Sequence, residues 1–117
     1  NSGQYFRTQF GPGFPKGYEA QINATHRDPI RTGSLYMPKN KDLLVMDVAP
    51  HKPNEWFTQE VLADRDQIRI TVNGKKTVDW KDPQKTYRQG HFALQGHDPG
   101  TTVKFRKIEV RELLAPK

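Results

Sequence analysis

The chain contains no cysteine, so disulfides and thiolate chemistry are excluded from its stability and its function. That absence leaves the compartment open. No run approaches the ~18 to 20 consecutive apolar residues that a membrane-spanning helix requires. Sustained i, i+3, i+4 apolar spacing is also missing, which predicts almost no helix. There is no phosphate-cradling Gly loop, no G-x-S-x-G elbow and no H-E-x-x-H helix, so three familiar catalytic frameworks are set aside. The chain opens at Asn1-Ser2-Gly3 with neither an initiating Met nor a leader-like apolar segment.

What the chain does have is punctuation and β-formers. Its 117 residues include nine Gly and nine Pro, spaced between short runs rich in Val, Ile, Thr and aromatics. This predicts a single all-β domain over residues 1–117. Gln4 to Arg7 reads as a strand entered from a turn at Asn1-Ser2-Gly3, and Phe10 to Gly17 as a loop. Residues 18–23 form the next strand, followed by a loop around His26-Arg27-Asp28-Pro29 and Arg31-Thr32-Gly33, then Ser34 to Tyr36. Residues 37–55 are irregular, with Pro38, Pro50, Pro53 and one apolar run from Leu43 to Val48. Trp56 to Ala63 is a strand, turning at Asp64-Arg65-Asp66 into Ile68 to Val72.

Asn73-Gly74 is the strongest hairpin signal, because a type I′ turn needs positive φ at both central residues. The return strand is Lys76 to Trp80, followed by a polar loop through Tyr87. His91 to Gln95 forms a strand with Phe92 and Leu94 on its apolar face. Gly96 to Gly100 is a loop. A final strand is expected over residues 102–113, with a β-bulge near Arg106-Lys107 where the apolar phase changes from odd to even.

Charge is informative mainly by its spread. Lys and Arg number 19 against 13 Asp and Glu, a net +6. Residues 1–63 carry seven basic against six acidic side chains, and residues 64–117 carry twelve against seven. Most basic residues alternate with apolar ones, as on a solvated sheet face. No nucleic-acid recognition motif accompanies them, so nucleic acid is not an expected partner.

The stretch Gly17-Tyr18-Glu19-Ala20-Gln21-Ile22 organises the reading. Alternation sends Tyr18, Ala20 and Ile22 to one face and Glu19 with Gln21 to the other. The polar pair lines either a cleft or plain solvent.

Several strings together resemble the 3-keto-disaccharide hydrolase domain, a family found widely in bacteria. They are Asn1-Ser2-Gly3 with Phe6-Arg7, Gly17-Tyr18-Glu19 with Gln21-Ile22, and Thr32-Gly33-Ser34-Leu35-Tyr36. Lys52-Pro53 with Glu55-Trp56 and Ile70-Thr71-Val72-Asn73-Gly74 follow. Gly90 to Gln95, His97-Asp98, Phe105-Arg106 and Arg111-Glu112-Leu113 complete the series. Each string is weak alone; their order and number make the match specific across essentially the whole chain. The resemblance implies a concanavalin-like jelly-roll β-sandwich of which this is the C-terminal part, lacking the N-terminal strands. Open sheet edges would follow from that. It also implies export to the periplasm or beyond.

Against that background Glu19 is the first catalytic candidate, as general base; the plain alternative is a surface carboxylate paired with an arginine. Gln21 is a sugar-hydroxyl partner or a surface amide. His97, in a Gly-bounded loop, suits general acid work near neutrality, and Asp98 beside it either binds substrate or closes an Asx turn before Pro99. His91 and Gln95 share a strand face and are binding candidates. Arg106 is expected to stabilise an enolate, or to neutralise Glu19 if the last strand lies beside residues 18–23. Arg7 has the same double reading. Tyr36 and Trp56 either stack on a sugar ring or fill the core. His26, His51, His91 and His97 lack zinc-ligand spacing, which leaves open a divalent metal held from distant loops.

The expected activity is cleavage of 3-keto-glycosides by proton abstraction at C2, elimination and hydration, a route that does not need the carboxylate pair of ordinary glycosidases. The alternatives are a non-catalytic carbohydrate-binding module and a two-carboxylate glycosidase using Glu19 with Asp98 or another acid.

Overall fold

The computed structural model describes residues 1–9, 11–37, 44–96 and 99–113. Phe10, Pro38, Leu43, His97 and Asp98, named above, lie outside them. Among the described residues, seven strands form two antiparallel sheets and no helix occurs. They are β1 (Ser2–Gln9), β2 (Lys16–Ile22), β3 (Leu35–Tyr36), β4 (Gln59–Asp64), β5 (Gln67–Val72), β6 (Lys75–Lys81) and β7 (His91–Leu94). The first sheet has the order β3-β2-β1-β7 and the second β4-β5-β6. The architecture is an all-β sandwich.

Alternation decides what each strand gives the core. Phe6, Tyr18, Ala20, Leu35 and Met37 of the first sheet's side pack against Ile68, Ile70, Val72 and Val78 of the second. Each fully buried large aliphatic or aromatic side chain contributes roughly 1.5–3 kcal/mol of burial. Phe6 and Tyr18 are cross-strand partners with stacked rings, 5.3 Å between centroids. The second sheet is a meander whose turns are local. Asn73 and Gly74 both have positive φ (49° and 78°), as a type I′ turn demands, and β4 and β5 are joined by Arg65-Asp66 with Arg65 at φ 56°.

The structure corrects four sequence expectations. Asn1-Ser2-Gly3 is not a turn: β1 begins at Ser2, because Gly3 is needed inside the sheet, as the candidate site makes clear. Trp56 to Thr58 precede β4 rather than belonging to it. Residues 102–113 form no strand. Their alternating pattern is real, but a strand requires a hydrogen-bonded neighbour, and none is found for them among the described residues. Phe105, Ile108, Val110 and Leu113 are therefore exposed. Without a ladder there is no β-bulge at Arg106-Lys107 either, although Lys107 stands at φ 52°. Finally, Phe92 and Leu94 point to the inner side of the first sheet yet are exposed, β7 being the edge strand of that sheet among the described residues.

Candidate active site

β2 is buried on both faces, and the two faces carry different chemistry. On the inner face the Tyr18 hydroxyl donates to Asp82 Oδ2 at 2.5 Å. Asp82 also accepts from the backbone N–H of Gln84 and of Thr86, each at 2.9 Å. Burial alone would raise the pKa of Asp82, but these hydrogen bonds outweigh it and hold the carboxyl below its usual range. The Tyr18 phenol is pushed up to about 12, by burial first and by its bond to Asp82 second. This carboxylate is a brace between β2 and the segment after β6.

The outer face carries Glu19. Its cross-strand neighbours are Tyr5 on β1 and Tyr36 on β3, and Ala93 on β7 continues the row beyond Tyr5. The adjacent row holds Gln21 opposite Gly3, with Gln95 beyond it, its N–H donating to the Gly3 carbonyl at 3.0 Å. Glu19 is only 4% exposed. Its side chain lies flat over Gly3, where a Cβ would meet Oε2 at 1.9 Å. No other residue fits at position 3 with Glu19 in this place.

Burial dominates the electrostatics. The Glu19 carboxyl is pushed up to about 7, chiefly by desolvation; the Tyr5 hydroxyl opposes the rise and the Asp28 charge adds to it. Tyr5 is itself held above its usual value by burial and then by the Glu19 charge, so it stays a neutral phenol. Oε2 of Glu19 has no hydrogen-bond partner among the described residues. A buried carboxylate with an idle oxygen costs stability, and such groups mark sites where another molecule completes the bonding.

Asn23 holds the neighbouring loop. Its Nδ2 donates to the carbonyls of Asp28 and Ile30, both at 2.8 Å. Its Oδ1 accepts from the His26 N–H at 2.9 Å and from Arg31 at 3.0 Å. The chain then returns alongside β2, with Gly33 N–H donating to the Gln21 carbonyl and Gln21 N–H to Ser34. This return brings Asp28 close enough for its charge to act on Glu19. Gln21 Nε2 donates to Asn1 Oδ1 at 3.3 Å and to the Ile30 carbonyl at 3.4 Å. Tyr36 and Gln95 are half-buried and border the face on either side.

The fold thus gathers Glu19, Gln21, Tyr36 and Gln95 on one face, with exposed His91 at the start of β7 on that strand's same side. Arg7 is elsewhere. It stands at φ 50° where the β1–β2 register shifts, and its guanidinium donates to the carbonyls of Arg65 and, at 3.3 Å, Tyr87. Arg106 is not beside β2, whose neighbours are β1 and β3. It sits 4.0 Å above the ring of half-exposed Trp56. His97 and Asp98 fall outside the described residues. Tyr5, Gly3 and Asp28 were missed as site residues; for Tyr5 the signal was available, since odd and even positions of 4–7 divide polar from core-facing side chains.

Among the described residues, no group of three or more His, Asp or Glu is placed to hold a metal ion. No helix among them is long and apolar enough to cross a membrane. This face brings together a carboxylate poised near neutrality, a neutral phenol beside it and the amides of Gln21 and Gln95.

Neither curated proteins nor solved structures gave a match to this chain. A family model did, that of the 3-keto-alpha-glucoside-1,2-lyase-like domain, over residues 1–111. Its name is that of a carbohydrate lyase or hydrolase type of enzyme, in keeping with the strings noted in the sequence. With nearly its full length matched, the chain belongs to the 3-keto-alpha-glucoside-1,2-lyase-like domain family.

Proposed function

We propose that this domain cleaves 3-keto-glycosides and that Glu19 is the base that starts the reaction. A ketone at C3 acidifies the C2 proton. Glu19 takes that proton, the C2–H electron pair forms an enolate with the C3 carbonyl, and collapse of the enolate expels the oxygen substituent at C1. The leaving oxygen takes a proton from an acid, for which His97, two residues beyond Gln95, is the candidate. Addition of water to the resulting unsaturated ketone makes the net change a hydrolysis. Tyr5, a neutral donor beside Glu19, is suited to the developing enolate oxygen. Gln21 and Gln95 supply hydrogen bonds to sugar hydroxyls, and Tyr36 flanks the ring.

One observation carries this reading: Glu19 is buried, held near a pKa of about 7, and has an oxygen without a partner among the described residues. A base matched to neutral pH is half-ionised where it works, and still strong enough to take an acidified C–H proton. The test is Glu19→Gln assayed on a 3-keto-disaccharide, with exchange of the C2 proton for deuterium followed by NMR. Loss of both exchange and cleavage is expected. Retained exchange in the Gln variant removes Glu19 from the mechanism.

The Asp28 charge acting on Glu19 favours a second reading, a glycosidase using two carboxyls. Turnover of an unoxidised disaccharide, abolished by Asp28→Asn, would select it. Sugar binding without any product would instead identify a carbohydrate-binding module.

A further inference from the structure

A second site is built at the far end of the sandwich, on the side of β2 that Glu19 does not face. A cavity of about 320 Å3 is lined by Arg65 and Asp66 of the β4–β5 turn and by Lys85, Tyr87 and Arg88 of the segment after β6. That volume is at the lower end of the ~300–1,000 Å3 typical of small-molecule sites. Its two walls come from separate elements and are fastened together. The Asp82 N–H donates to the Asp66 carbonyl at 2.8 Å, and the Tyr87 N–H donates to the Tyr18 hydroxyl at 3.3 Å. Arg7, which belongs to neither wall, donates to one carbonyl on each.

Charge is what sets this cavity apart. Arg65, Lys85 and Arg88 line it and Arg7 stands behind it, against the single carboxylate of Asp66. None of these four cations forms an ion pair among the described residues, whereas Arg69 and Lys76 on the second sheet's outer face both pair with Asp79. Arg7, Arg65 and Lys85 also hold positive φ (50°, 56° and 49°), a conformation that costs a non-glycine residue energy and that clusters at ligand sites. The Tyr87 phenol, raised further above its usual value by burial, is a neutral donor as well. Unpaired guanidinium groups beside a neutral phenol, in a braced cavity, make an oxyanion receptor.

We infer that the cavity bounded by Arg65, Lys85, Tyr87 and Arg88 binds a tetrahedral oxyanion, a phosphate or sulfate that is either free or esterified to a sugar. The inference does not rest on the Glu19 reaction and stands or falls apart from it.

Calorimetric and NMR titrations of the chain with inorganic phosphate, inorganic sulfate, glucose 6-phosphate and glucose 6-sulfate test it, with glucose as the neutral control. Saturable binding is expected, with amide shifts at residues 65–66 and 85–88 and weakening as salt rises. Tighter binding of the esters assigns an anionic saccharide; equal affinity assigns the free anion. The exposed pair Lys85→Ala with Arg88→Ala should weaken binding at least ~10-fold, about 1.4 kcal/mol, at an unchanged unfolding midpoint. Arg88→Gln gives the same direction of effect should the double variant fail to fold, and Arg69→Ala with Lys76→Ala should leave binding intact. Absence of saturation, shifts centred on residues 104–111 instead, or a double variant that binds like the parent would overturn it.

Discussion

Tyr18 and Glu19 are neighbours in sequence, yet each governs a carboxylate treated in the opposite way by the fold. On the inner face Asp82 is buried and receives three hydrogen bonds, from Tyr18, Gln84 and Thr86. On the outer face Glu19 has similarly little exposure to solvent, with an oxygen that receives none among the described residues. Burial raises the pKa of both; only at Asp82 do hydrogen bonds reverse the sign. Stronger desolvation at Glu19 and fuller hydrogen bonding at Asp82 therefore separate a carboxylate available for chemistry from one that holds a fold together.

The signs of their pH dependence differ accordingly. Asp82 has a depressed folded pKa, so its stabilisation is present above its unfolded pKa and lost as pH falls. Glu19 rises from 4.5 to about 7, so the folded state holds its proton more tightly than the unfolded one does. Its contribution erodes stability as pH climbs through that window and leaves it untouched below.

Removing the brace should have the largest effect on stability. Asp82→Ala deletes an acceptor of three hydrogen bonds and strands the buried Tyr18 hydroxyl, for an expected loss of about 3 kcal/mol. Urea unfolding at pH 7 measures it. Glu19→Gln acts in the reverse direction. It should stabilise the protein by up to about 3 kcal/mol at pH 8, discounted for relaxation, and by little at pH 4, where the parent carboxyl is already neutral. Parallel unfolding curves at the two pH values check both sign and window. A stabilising effect that accompanies loss of deuterium exchange would show that Glu19 is kept for chemistry at the expense of stability.

Smaller effects sharpen the same contrast. Gly3→Ala places a methyl where Glu19 Oε2 lies, and should cost about 1–3 kcal/mol. It should also slow C2 exchange, because the carboxylate must move. Tyr18→Phe removes one of the three bonds to Asp82 and should cost roughly 1–2 kcal/mol without altering the exchange rate per folded molecule.

How much of this was legible beforehand follows from the range of the interactions. The two faces of β2 are a nearest-neighbour property, and alternation over Tyr18 to Ile22 shows them directly. The Asn73-Gly74 turn is equally local. Residues 102–113 show the limit of such reasoning: their pattern suits a strand, but pairing depends on a neighbour that pattern cannot supply. Arg7 was misplaced because its turn away from the Glu19 face depends on a register shift in β1 and on carbonyls 58 and 80 residues further along. Gly3 looked like a turn residue, and only the side chain of Glu19, 16 positions on, explains why it must be glycine. Arg106 was expected near Glu19 on the assumption that the last segment would lie beside β2; without that pairing it rests on Trp56. Asp28 drew no attention because its approach to Glu19 is made by the bonds of Asn23.

The most direct test of the account is the titration of the Glu19 side-chain carboxyl by carbon-detected NMR, with the Glu19→Gln variant supplying the assignment. A midpoint near 7, falling only slightly in Asp28→Asn because desolvation is the larger cause, is the predicted result. A midpoint at the ordinary 4.5 of a solvated glutamate would contradict it.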